Sequence, residues 1–142
     1  MEISLVRKRV LETIDRAKRA AAERRTRSDE ASREYELFLE RIAVPIFRQL
    51  ANVLRAQGYT FDVFTPAGSV RLMSDRSADD YVELALDASG DTPRVMGRTS
   101  RSRGRRVIDS ERPVNPSGAI RDVTEEDVLR FVLKELEPFV ER

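Results

Sequence analysis

The chain has 142 residues, enough for one domain of ordinary size, and 26 basic against 25 acidic side chains give a formal net charge of +1. It has no cysteine and no histidine. That removes disulfides, thiolate catalysis, cysteine-ligated metals, the usual general base and the commonest transition-metal ligand.

The charge is spread unevenly. Residues 1–27 hold nine basic and four acidic side chains, and residues 94–112 hold seven and two. Residues 75–91 hold one basic and six acidic, and residues 122–142 three and seven. Such asymmetry suits self-association and docking as well as nucleic acid. Of the 26 basic residues 23 are arginine, throughout the chain, as a GC-rich genome would produce without selection for phosphate binding. The start, "MEISLVRKRV", lacks the apolar core of a signal peptide, and the longest apolar run, Ile42 to Phe47, is far short of a membrane span. The expectation is a cytoplasmic protein with no membrane partner.

Residues 2–57 read as helix. No glycine precedes Gly58, and the one proline is Pro45. Apolar residues recur at Ile3, Val6, Val10, Ile14, Ala17 and Ala21, then at Ala31, Tyr35, Phe38, Ile42, Ile46, Leu50 and Val53. Steps of three and four are the period of a helix with one buried face. Between the runs lies "ERRTRSDE", residues 23–30, with no apolar residue. It is either a break, capped by Thr26 or Ser28, or the polar middle of one long helix. A helix of 56 residues would be roughly 84 Å long, about twice the diameter of a compact domain of this size. Its first half must therefore fold back or project. Pro45 predicts a kink, because it lacks a backbone donor and crowds the Arg41 carbonyl, or else the start of a new helix.

After Gly58 the period becomes two. "YTFDVF" (59–64) and "SVRLMS" (69–74) predict a hairpin about a proline-led turn. "YVELALDA" (81–88) places Val82, Leu84 and Leu86 inward, with Glu83 and Asp87 outward. "RVMGRTS" and "RRVIDSE" predict a last pair of short strands, and the intervening arginines fall mostly on their connection. Residues 113–122 hold two prolines and a glycine and read as loop. Thr124 with Asp127 resembles a capping box, with Val123 and Val128 at the staple positions. The helix it opens is expected to end or kink near Glu137, ahead of Pro138.

The expected fold is α+β. It is one domain over 1–142, with a projecting or folded-back helical arm over 1–27 and a core helix over 28–57 kinked near Pro45. An antiparallel meander of four or five strands over 59–112 and a closing helix over 124–140 complete it. The helical layer covers one face of the sheet, and the other face is wet.

Three places invite a functional reading. In "GRTSRSRGRR" (97–106), Arg98, Arg101, Arg103, Arg105 and Arg106 could contact nucleic acid or an acidic partner. No aromatic is interleaved for base stacking. The simpler reading is a basic hairpin end, balanced by Asp87, Asp91 and the acidic last helix. In "SDRSADD", Asp75, Asp79 and Asp80 could gather a hard cation, but the spacing fits no EF-hand loop. A solvated loop is the simpler reading there too. The N-terminal helix carries Ile3, Val6, Val10 and Ile14, which a projecting arm would expose without a partner.

No residue is singled out as catalytic, and no cofactor is expected. The leading expectation is a non-enzymatic interaction or adaptor module, a homo-oligomer or a complex with a protein partner, joined through the N-terminal helix. The alternative is a nucleic-acid-binding accessory protein using residues 98–106. A second alternative is a metal-dependent enzyme built on the three aspartates.

Overall fold

The computed structural model describes residues 1–90, 92–116 and 118–141. Helix α1 (Ile3–Phe38) passes through a π-helical turn (Leu39–Ala43) into α2 (Val44–Ala56). Strands β1 (Phe61–Phe64), β2 (Ser69–Ser74), β3 (Tyr81–Asp87), β4 (Arg94–Arg103) and β5 (Arg106–Pro113) follow. A 3₁₀ turn (Ile120–Asp122) and helix α3 (Glu125–Val140) close the chain.

The polar segment 23–30 is helix throughout, so the long-helix branch of the sequence reading holds. Its serine and threonine do not break the helix. The Thr26 hydroxyl donates instead to the Ala22 carbonyl one turn back. Pro45 stands at the start of a new α-helical segment, one of the two outcomes the sequence allows. The π turn ends with the Val44 N–H donating to the Leu39 carbonyl, five residues back. This extra residue sits just ahead of Pro45, which then occupies the first turn of α2, where no backbone donor is needed. Helix α2 ends at Gly58, whose φ of +90° suits a residue without Cβ.

The sheet is a pure antiparallel meander in the order β1-β2-β3-β4-β5. One face lies under the last turns of α1, under α2 and under α3. Phe61, Val70, Leu72, Val82, Leu84 and Val95 meet Tyr35, Phe38, Phe47, Phe131, Val132 and Phe139 in one core. Helix α3 starts as the sequence predicts: the Asp127 N–H donates to Thr124 Oγ1 at 3.1 Å, and the Thr124 N–H donates to Asp127 at 3.0 Å. Val123 and Val128 are both buried. Of the two outcomes expected at Pro138, an end does not occur: α3 runs through it to Val140, the bound expected for the closing helix. The carbonyl that Pro138 leaves without its helical donor belongs to Lys134, on the exposed side where water can satisfy it.

Three other expectations need correction. The arginines of 97–106 are not mostly on a connection. Only Gly104 and Arg105 separate β4 from β5, and Arg103 pairs with Arg106. Alternation was hidden here because polar residues occupy both faces of the strand. The opposite sheet face is not simply wet either: Ser69, Glu83, Ala85, Met96 and Ser100 are buried in its middle. Long neighbours cover them, with the Arg71 guanidinium stacked 3.9 Å from the Tyr81 ring centre. Asp91, expected to balance the arginines, lies outside the described residues.

Candidate interaction surfaces

Helix α1 is about 54 Å long at 1.5 Å per residue. Its packed part begins near residue 24. From there Arg24, Arg27 and Ser28 lie beside Ala88, Gly90 and Pro93, and Ala31 lies beside Ile120. Ala31, Tyr35 and Phe38 are its buried residues. Residues 3–23, about 31 Å of helix, run past the domain. Ile3 is 87% exposed and Val10 50%, and Val6 and Ile14 are similarly open. These four, with Ala17 and Ala21, form one stripe at the helical period. At 100° per residue, Arg7, Lys18 and Arg25 flank it on one side, and Arg9 and Arg27 on the other. Glu12, Asp15 and Glu23 fall on the back, where Asp15 pairs with Arg19 at 3.1 Å. Leu11, 55% exposed beside the stripe, was missed from sequence because it falls outside the regular steps.

The arginine segment forms the end of the β4–β5 ribbon. Strand β3 pairs with β4 only as far as Tyr81↔Ser100, whereas β4 and β5 continue together to Arg103↔Arg106. The ribbon therefore extends about 10 Å beyond its neighbour, three residues at 3.4 Å each. Gly104, with φ +63°, is the first of the two turn residues, as a type II′ hairpin requires. Arg98 lies farther back and is paired with Glu111 at 3.6 Å. Among the described residues Arg101, Arg103, Arg105 and Arg106 make no ion pair. Arg101, Arg103 and Arg106 share one face of the ribbon by alternation and register, together with Ile108. Val107, 49% exposed, lies on the other face.

The three aspartates do not converge. Asp75 and Asp79 are exposed, while Asp80 is 1% exposed and turned to the ribbon. Its carboxylate accepts the Ser102 backbone N–H at 2.7 Å and the Ser102 hydroxyl at 3.1 Å. Among the described residues no three carboxylates group to hold a cation. Asp80 is thus a structural support for the arginine ribbon, a link the sequence could not show because 22 residues separate the partners.

A polar pocket of about 140 Å³ lies beside Asp80, between Gly58–Phe61, Ser74–Arg76 and Phe139. It is far below the several hundred Å³ usual for a small-molecule site. Across the outer face runs a register row, Phe64–Arg71–Glu83–Arg98–Glu111. Its charges alternate in sign. Glu83, at its centre, accepts from Ser69 at 3.0 Å and from Arg71 at 3.1 Å. This row pairs its charges across the strands and serves the sheet, although the buried Arg71 Nε has no hydrogen-bond partner among the described residues.

Compared with family models, with curated proteins and with solved structures, the chain finds no match in any of the three. No helix among the described residues is long and apolar enough to cross a membrane. Function therefore rests on the chemistry of the surfaces themselves.

Proposed function

We propose that this protein is a non-enzymatic interaction module that self-associates by packing the arm of one copy against the arm of a second. The observation that carries the reading is the unsupported helix: residues 3–23 bear an apolar stripe that nothing in their own domain covers. An antiparallel pair is the arrangement that suits it. It opposes the two helix dipoles and sends the two domains to opposite ends, where they do not collide.

Magnitudes favour pairing despite the like charges on the flanks. Burying the exposed remainder of Ile3, Val6, Val10 and Ile14 is worth roughly 1 kcal/mol per side chain. Repulsion between exposed, solvated basic residues costs a few tenths of a kcal/mol per contact. Two consequences follow for salt and for charge. Added salt should tighten the pair, because it screens the repulsion and leaves apolar burial intact. Val10→Glu should separate it.

Sedimentation over about a hundredfold range of protein concentration tests this. The expected result is a reversible dimer, strengthened by salt and lost in Val10→Glu. A wild-type protein that stays monomeric over that range, at low and high salt, overturns the reading. A dimer that persists in Val10→Glu and in Val6→Glu also overturns it, because the contact is then elsewhere.

A further inference from the structure

We infer that the end of the β4–β5 ribbon is a binding site for duplex DNA, entering its major groove with Arg101, Arg103, Arg105 and Arg106 against the phosphates. Charge, shape and support point the same way, and none of them depends on pairing of the arms.

Charge comes first. From Arg94 to Ile108 the chain has no acidic residue. The four arginines at the tip make no ion pair among the described residues, so no internal contact is lost when a phosphate arrives. A guanidinium presents a planar fork of donors that matches phosphate oxygens. Elsewhere on the sheet Arg71 is held by Glu83, Arg98 by Glu111 and Arg112 by Glu135. Among the described residues Arg94, at the opposite end of β4, also makes no ion pair but stands alone, whereas the four at the tip lie together.

Shape separates DNA from other polyanions. A two-stranded antiparallel ribbon is one of the few elements that the major groove, about 12 Å wide and 8.5 Å deep, admits. This ribbon runs about 10 Å past its last backbone pair with β3, and Arg103 to Arg106 stand clear beyond Ser102, where Asp80 holds it. Its two-residue turn keeps the tip narrow. Duplex RNA offers no such entry, since its major groove is too narrow for side chains to read.

Support comes from Asp80. It holds Ser102 by two hydrogen bonds at the base of the tip, so the arginines are presented on a fixed hairpin. The arm is a separate basic region. It leaves the domain beside the β3–β4 turn, whereas the ribbon tip lies at the far end of β4. The ten residues of β4 place about 33 Å between the two. Arm and tip therefore do not form one continuous surface.

The test is a fluorescence-anisotropy titration of the full chain with a short labelled DNA duplex, the same sequence as duplex RNA, and labelled polyglutamate, between roughly 50 and 200 mM salt. The variant is Arg101→Gln, Arg103→Gln, Arg105→Gln and Arg106→Gln together. Its fold is checked by circular dichroism, and single substitutions of Arg103 and Arg105 serve as a second set. DNA should bind with a log–log salt slope of roughly −3 to −4, close to −0.9 for each phosphate met by an arginine. The variant should bind at least about tenfold more weakly and with a flatter slope, and each single substitution should lower the slope by about one. Arg24→Gln with Arg25→Gln and Arg27→Gln should leave DNA affinity nearly unchanged. The inference fails if DNA does not bind at the lowest salt, or if the ribbon variant binds as well as wild type. It fails equally if duplex RNA or polyglutamate binds as tightly as DNA, which would make the tip a general anion contact. Loss of DNA binding in Val10→Glu without loss of the arginines would place the site on the arm and also overturn it.

Discussion

Asp80 and Ser102 are joined twice, through the serine's backbone N–H at 2.7 Å and its hydroxyl at 3.1 Å, across 22 residues of chain. The carboxylate is 1% exposed, so these are buried, charge-assisted bonds. Asp80→Ala removes the acceptor and leaves a backbone donor poorly served. The expected loss is about 2–3 kcal/mol of stability, read from the urea midpoint. Asp80→Asn keeps an acceptor oxygen and should cost about half as much. Hydrogen exchange should speed up first at residues 101–107. Equal midpoints for Asp80→Ala and wild type would show that the tip is not held in this way.

Gly97 lies directly beneath the Phe131 ring, and a Cβ added there would fall within it. The same ring carries the Arg112 guanidinium at 4.3 Å from its centre, and Arg112 donates to Glu135 at 2.9 Å. Gly97→Ala should therefore cost about 1–3 kcal/mol by overpacking. Adding Phe131→Leu should recover part of that loss, giving a coupling of at least about 0.5 kcal/mol in a double-mutant cycle. Additive effects of the two substitutions would refute the contact.

The capping box of α3 links stability to acid. The Thr124 backbone N–H, above all, holds the Asp127 carboxyl below the usual aspartate value; the Thr124 hydroxyl, the Asn115 amide and Arg130 act in the same direction. A depressed folded-state value means the stabilisation is present above the unfolded value, near pH 4, and is lost as pH falls through the folded one. Asp127→Asn should therefore flatten the fall of the urea midpoint below pH 4. Thr124→Ala should cost about 1 kcal/mol while leaving most of that pH dependence, because the backbone donor remains.

Tyr35 shows the opposite sign. Its hydroxyl is shared between the carbonyls of Gly68 at 2.9 Å and Leu84 at 3.3 Å. Burial first, then the Glu83 carboxylate, pushes its ionisation well above the ordinary tyrosine value. The stabilisation is present below the unfolded value, near pH 10, and is lost as pH rises through the folded one. In an alkaline absorbance titration, one of the three tyrosines should stay protonated until the protein unfolds. Tyr35→Phe should remove that late step and cost about 1 kcal/mol. Simultaneous early ionisation of all three would place Tyr35 in solvent.

Much of the fold was legible because its signals are local. A 3.6 period marks the helices, a period of two marks the strands, and Thr124 with Asp127 marks the start of α3. Each reports the geometry of a few adjacent residues. The misreadings came where a local signal was overridden or mute. Pro138 allowed an end or a kink, and the packing of Phe139 against Phe61, ring centres 6.0 Å apart, outweighs the first of these. The β4–β5 arginines hid how far the two predicted strands run, because polar residues occupy both faces of a ribbon with no core beneath its end.

The sequence by itself determined the element order, the α+β class, the apolar stripe of the arm and the absence of cysteine and histidine chemistry. Only the tertiary structure decided that residues 23–30 continue the helix, and so that the arm projects. It alone brought Asp80 under Ser102, left Asp75 and Asp79 exposed, and left four arginines beyond the edge of β3 without an ion pair among the described residues. The physical reason is one of range. Propensity and period act over a few residues, whereas burial and ion pairing depend on which distant surfaces meet. A stripe that reads as core in sequence, such as Ile3 to Ala21, becomes core only where another surface lies against it.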